Sequence, residues 1–112
     1  MQLSIADIVA IEKTRSLIEC GIFQRISINE LCIVANLGRS KLLQGFNFLY
    51  QTTIYQYHLT VSMEYAKLLL QDGKQVKEVS LLLGYKGSGH FSRAFTKVFD
   101  CKPSECKHPD HL

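Results

Sequence analysis

From Ile28 to Phe46 the chain reads INELCIVANLGRSKLLQGF, and from Val76 to Phe95 it reads VKEVSLLLGYKGSGHFSRAF. The second stretch repeats the first about 48 residues later: Ile28 falls on Val76, Glu30 on Glu78, Leu31 on Val79 and Cys32 on Ser80. One extra residue then enters, after which Leu42 falls on Phe91 and Phe46 on Phe95. A pattern written twice in 112 residues leaves room for two very small lobes of one kind sharing a connection, or one small domain built from both.

The period of the apolar residues is helical. Ser4 with Asp7 reads as a capping box opening a helix that carries Ile5, Ile8, Ile11 and Ile18 and stops at Gly21. Ser27 with Glu30 opens a second helix with Ile28, Leu31, Cys32 and Val34, and a third follows Asn36-Leu37-Gly38 with Leu42, Phe46 and Leu49. Thr53 with Gln56 opens a long helix expected to bury Ile54, Tyr57, Val61, Tyr65, Leu68 and Leu69, ending at Gln71-Asp72-Gly73. Short helices over about Val76–Leu83 and Ser88–Phe99 come next, then a last turn at Pro103, whose missing amide does no harm there. No strand-like alternation of useful length occurs. The expected fold is all-α: two helix-turn-helix subdomains joined by a long connecting helix. The boundaries are 1–52 for the N-terminal helix and first subdomain, 53–71 for the connecting helix, and 72–112 for the second subdomain and tail.

Each copy is thus a short helix, a tight turn and a second helix. Asn36 and Gly38 in one copy, and Gly84 and Gly87 in the other, tolerate the positive φ that ends the first helix. Cys32 and Ser80 are small residues where two helices cross closely. The pairs Leu42/Phe46 and Phe91/Phe95, four apart, anchor one side of each second helix. The opposite sides carry Arg39, Ser40, Lys41, Leu43, Gln44 and Asn47 in the first copy, and Gly87, Ser88, Gly89, His90, Ser92, Arg93, Thr96 and Lys97 in the second. No carboxylate stands among them. Arg, Gln, Asn and Ser are the side chains that reach base edges and phosphate oxygens in a major groove, and Gly or Ser at a helix start lets backbone amides approach a phosphate. A merely solvated polar face is the bland explanation for one such helix; two acid-free copies favour double-stranded DNA as the partner. The connecting helix, about 17 residues, is roughly 25 Å long, and with its flanking turns it could hold two reading helices about one DNA turn apart.

These residues resemble the DNA-binding domain of the AraC/XylS family of bacterial transcription regulators. The stretch VSLLLGYKGSGHFSRAFTKVFDCKPSE is similar to the family signature A-x-x-x-G-[FY]-x-x-x-x-[FHY]-F-x-R-x-F-[KR]-x-x-[FY]-[GD]-x-x-P-x-x-[YF], with Gly84, Tyr85, Phe91, Arg93, Phe95, Phe99 and Pro103 in order. In the first half Leu31, Leu42, Phe46, Tyr57, Ala66 and Leu69 fall in register, so the resemblance covers Ser27 to Lys107. It implies base reading from Ser40, Leu43 and Gln44 in the first helix, and from Ser88, Gly89, Ser92 and Arg93 in the second. It also implies transcription activation, often beside RNA polymerase, and in most members an attached effector or dimerisation domain; nothing here resembles one, so the chain is expected to be either a fragment or a stand-alone short member. The chain departs from the family pattern at Gln51, usually Gly; at Ser62, usually Arg; at Ser80, usually Ala; and at Cys106, usually aromatic. Gln75 is a poorer helix cap than Ser27 at the matching place.

The remaining features narrow the function. The net charge of +3, from 13 Lys plus Arg against 10 Asp plus Glu, permits a polyanionic partner without demanding one. No apolar run approaches the ~20 residues of a membrane span, and Asp7 and Glu12 break the N-terminal apolar stretch, so a cytoplasmic protein is expected. No nucleophile–base set or phosphate-binding glycine loop suggests an enzyme, and no cofactor is expected. Cys101, Cys106, His108 and His111 supply two thiols and two imidazoles, yet the histidine spacing is too short for a usual zinc site, and Pro103 is expected to hold the two cysteines apart, so no metal is expected. The alternative to DNA binding is a helical protein-interaction module, with Leu43 docking a partner helix.

Overall fold

The computed structural model describes residues 1–21 and 26–106. Among them are six α-helices and a 3-10 turn: α1 (Ile5–Cys20), α2 (Ile28–Ala35), α3 (Arg39–Tyr50), α4 (Ile54–Gln71), α5 (Val76–Leu82), α6 (Ser88–Phe99) and the turn Pro103–Cys106. The all-α expectation holds. Two compact units divide the chain, Met1–His58 and Leu59–Leu112, so that α4 begins in the first and ends in the second.

In the first unit the caps lie where the sequence puts them. Ser4 Oγ accepts from the Asp7 amide and Asp7 Oδ2 accepts from the Ser4 amide, each at 3.0 Å, satisfying two amides that the first turn of α1 leaves without helical partners. Ser27 Oγ accepts from the Glu30 amide at the start of α2, and Thr53 Oγ1 accepts from the Gln56 amide at the start of α4. The core gathers Ile11 and Ile18 of α1, Ile28 of α2, Leu42 and Phe46 of α3 and Ile54 of α4. Phe46 is fully buried and meets the rings of Tyr50 and Tyr57 edge-on, at 4.8 and 5.8 Å between centroids. Gly45, also buried, lets α1 lie close against α3: a Cβ there would sit 2.6 Å from Ile11 Cδ1.

The second unit repeats the plan with its own core: Met63, Ala66 and Leu70 of α4, Val79 of α5, Leu83, Phe91 and Phe95 of α6, and Cys106. Ser80, the counterpart of Cys32, is fully buried and satisfied, its Oγ donating to the Lys77 carbonyl at 2.9 Å. Gln75 begins α5 without a side-chain cap, as its chemistry suggests.

The duplication extends to single hydrogen bonds. Behind α2 the Leu37 amide donates to Cys32 O and the Asn36 amide to Ile33 O; behind α5 the Tyr85 amide donates to Ser80 O and the Gly84 amide to Leu81 O. Asn36 and Gly84 both take the left-handed conformation, φ 55° and 86°, which Gly adopts freely and Asn tolerates. The second helices end alike too, with Gln51 at φ 58° and Asp100 at φ 59°. Gln51 stands where the family usually has Gly, and its left-handed backbone is held with a side-chain bond from Nε2 to the Phe48 carbonyl. Gln51→Gly is therefore expected to raise stability by about 0.5–1 kcal/mol, because relief of the left-handed strain exceeds the entropy cost of glycine. Urea midpoints check this; an unchanged or lower midpoint means the Gln51 turn is unstrained.

The burial expected of Leu68 is corrected, and two other apolar residues of the helical pattern, Ile5 and Val34, also face solvent. Ile5 is 83% exposed, Val34 59% and Leu68 63%. Ile5 is six and nine residues from the buried Ile11 and Thr14, which at 3.6 residues per turn puts it on the far side of α1. On α4 the buried stripe of the second unit is Met63, Ala66 and Leu70, three and four residues apart, which turns Leu68 outward.

Candidate nucleic-acid interface

The tight turns after α2 and α5 deliver α3 and α6 with one side buried and the other open. The buried sides are Leu42, Gly45 and Phe46 on α3, and Phe91 and Phe95 on α6. On the open side of α3, Arg39, Ser40, Lys41, Gln44 and Asn47 are all exposed; on α6 so are Ser88, Gly89, His90, Arg93, Thr96 and Lys97, with Gly87 exposed just ahead of the helix. Leu43 and Ser92 are half-buried, and Leu43 packs against the first core, so it offers less surface than its place on the helix suggests.

The helix starts match the expected chemistry. α3 begins at Gly38 and α6 at Gly87, neither with a side-chain cap, whereas α1 and α2 are capped by serines. A Cβ at Gly38, Gly87 or Gly89 would meet nothing within 4 Å, so these glycines leave the first-turn amides open. Such amides, with the positive end of the helix dipole, suit an anionic phosphate oxygen.

Two contacts qualify the cations. Lys41 Nζ pairs with Asp7 Oδ2 of α1 at 3.2 Å, an ion pair invisible in the local sequence of α3. The Ser4 amide, and after it Lys41, holds the Asp7 carboxyl below the ordinary value of 3.8, so the carboxylate is charged at neutral pH. The face of α3, acid-free along the helix itself, therefore acquires one carboxylate from α1. Asp7→Asn keeps an oxygen for the cap and removes the charge; it is expected to raise affinity for any DNA duplex about two- to fivefold at low salt. Equal binding by the two proteins in a fluorescence titration would show that Asp7 lies outside the reach of DNA. Arg93 folds back along α6, Nε donating to the Gly89 carbonyl at 3.4 Å. That bond is long and exposed, and the guanidinium can exchange it for a base edge.

Sequence reading missed part of this surface. Phe48 is 55% exposed on α3 and lines a shallow hollow with Met1, Leu43, Gln44 and Asn47. On α6, Ser92, Arg93 and Thr96 share a groove with Lys102 and Ser104 from the segment after the helix. Lys102 and Ser104 follow the repeat, so the comparison of the two copies gave no signal for them.

The expectation about the terminal cysteines is corrected. Cys101 and Cys106 lie together, Sγ to Sγ 3.1 Å, because the 3-10 turn at Pro103 folds the chain back on itself. His108 and His111 fall outside the described residues. Among the described residues no cluster of His, Cys, Asp and Glu could hold a metal ion, and no helix is long and apolar enough to cross a membrane.

Residues 31–108 match a family described as a helix-turn-helix domain. The chain is 32% identical over 81 residues to the MmsAB operon regulatory protein of Pseudomonas aeruginosa, covering 71% of this chain and 26% of that one. Between a quarter and just over a third of the length of each curated relative is matched. The fold is similar to that of an AraC-type transcriptional regulator from Chromobacterium violaceum, with TM-score 0.81, 23% identity and coverage of 93% and 94% of the two chains. It is also similar to the DNA-binding domain of the transcriptional factor AdpA, solved with a target DNA, with TM-score 0.78, 16% identity and coverage of 87% and 88%.

Proposed function

The chain belongs to the AraC/XylS family of helix-turn-helix DNA-binding transcription regulators, and from that premise we propose that it reads DNA with α3 and α6 in successive major grooves. The observation that carries this reading is the pair of open helix faces, each started by an uncapped glycine and each holding donors of the kind that bind bases and phosphates. Gln44 is suited to adenine, which offers its N6 and N7 to a planar amide, and Arg93 to the O6 and N7 of guanine. Arg39, Lys41, Asn47, His90 and Lys97 engage phosphates; Ser40, Leu43, Ser88, Gly89 and Ser92 line the bases, with Gly87 at the helix start. Residues 53–71 act as the spacer that sets the two half-sites about ten base pairs apart.

On this reading the domain works as an activator beside RNA polymerase, either joined to an effector or dimerisation domain or as a short regulator by itself. Support comes from two exposed apolar pairs at matching places, Ile33 and Val34 on α2 and Leu81 and Leu82 on α5. Apolar surface of this kind suits a protein partner.

Selection from random duplexes is expected to recover two half-sites about ten base pairs apart, one of them containing an essential G·C pair. Recovery of no preferred sequence would sink the reading. On the selected site, Arg93→Ala is expected to cost about 1–3 kcal/mol and relax the preference at that pair, while Lys41→Ala weakens all sequences alike. Wild-type binding by both variants means the open faces are not the DNA surface.

A further inference from the structure

The two cysteines after α6 form a compact pair that the DNA-binding function does not use. Cys101 Sγ and Cys106 Sγ are 3.1 Å apart, within hydrogen-bonding distance for thiols, and none of the four cysteines is bonded to another. The pair is built into the fold. Asp100 leaves α6 in the left-handed conformation, Lys102 leads into Pro103, and the 3-10 turn brings Cys106 back under the end of the helix. The Glu105 amide closes that turn on the Lys102 carbonyl at 3.0 Å. Cys106 is buried in the second core with Phe91 and Phe95, while Cys101 stays half-exposed at its edge. Cys20, by contrast, is exposed on α1 and Cys32 half-buried on α2, each in the other unit.

We propose that Cys101 and Cys106 are a redox-modification site, a dithiol that a peroxide converts to an intrachain disulfide and that a small thiol reduces again. The chemistry assigns unequal roles. Cys101, reachable from solvent, attacks the peroxide as thiolate; one O–O bond breaks, the sulfur is oxidised to the sulfenic acid and hydroxide leaves. The Cys106 sulfur then displaces hydroxide from the Cys101 sulfenic acid, its own proton leaving with that hydroxide as water. In sum, two thiols and one hydrogen peroxide give one disulfide and two waters. Burial pushes the Cys106 thiol up to about 11, with the Cys101 sulfur beside it adding to the shift, so Cys106 is poorly suited to be the first attacker. Reduction reverses the bond by thiol–disulfide exchange at Cys101.

The ring so closed contains Lys102 and Ser104, which share a groove with Arg93 of α6. Oxidation therefore stiffens the segment beside the second reading helix. Because the sulfurs already touch, closing the ring needs little rearrangement, and the oxidised second unit is expected to melt about 5–10 °C higher than the reduced one.

The test treats the full chain with a small excess of hydrogen peroxide and digests it with trypsin. Lys102 precedes Pro103, a bond that trypsin resists, so both cysteines fall in the single peptide 98–107. That peptide is expected to become about 2 Da lighter, through loss of two hydrogens, and to recover its mass with dithiothreitol. A Cys20→Ser, Cys32→Ser variant, which leaves the second unit untouched, is expected to do the same and to show the rise in Tm. Addition of oxygen to the peptide without loss of two hydrogens overturns the proposal, as does no reaction. A disulfide that forms but leaves Tm unchanged or lower overturns it too, since the pair would then be strained by the bond.

Discussion

Phe95→Ala is expected to destabilise the second unit by about 3–5 kcal/mol, enough to leave it largely unfolded at 25 °C. Phe95 is fully buried: its ring lies 5.8 Å from that of Phe91 and 4.8 Å from that of Phe99. Removing it leaves a cavity at the centre of a cluster drawn from one end of α4, α5, α6 and the final turn. A unit this small buries a modest fraction of its surface and has little stability in reserve. The first unit has its own core around Phe46, so its resonances are expected to persist in an NMR spectrum of the variant while those of the second collapse. A loss below about 1 kcal/mol would contradict the packing of Phe95, since truncation of a buried aromatic costs several times that.

DNA affinity is expected to fall about five hundredfold between 50 and 200 mM salt. With Arg93 kept for guanine, five exposed cations stand on or beside the two proposed reading helices: Arg39 and Lys41 in the first unit, Lys86, Lys97 and Lys102 in the second. Each phosphate they neutralise releases condensed counterions, giving a slope of about −0.9 in log affinity against log salt per phosphate. Five such contacts produce a loss of about five hundredfold. An apolar protein-docking surface has no such slope, so this titration also separates DNA binding from the helical interaction module. Binding that changes less than about tenfold over that range means that few of these cations meet phosphates. The two experiments reinforce each other: Phe95→Ala abolishes the second reading surface, so its slope is expected to fall to that of Arg39 and Lys41 with their helix.

The fold was legible because the local signals agree. Ser4, Ser27 and Thr53 each cap the helix they precede, and the Asn36 and Gly84 turns follow from residues that accept a positive φ. The repeat supplied Leu42, Phe46, Phe91 and Phe95 as the anchors of two cores. What stayed hidden depends on contacts distant in sequence or on helical phase. Leu68, Leu69 and Leu70 are consecutive, and only packing against α5 and α6 selects Leu70 for burial and Leu68 for exposure. Ile5 belongs to the run of isoleucines on α1, but its phase sets it on the side opposite Ile11 and Thr14. The Lys41–Asp7 pair requires α1 to lie against α3, which nothing within α3 reveals. The thiol pair stays hidden because Pro103 alone suggests a spacer, whereas it starts the tight turn that brings the sulfurs together.

Two interiors, one built around Phe46 and the other around Phe91 and Phe95, give such a protein a freedom that a single shared interior denies. On the proposed reading, a substitution that remodels what one half recognises leaves the other half intact to keep its grip on DNA. Regulators built this way can drift toward new promoters one half-site at a time.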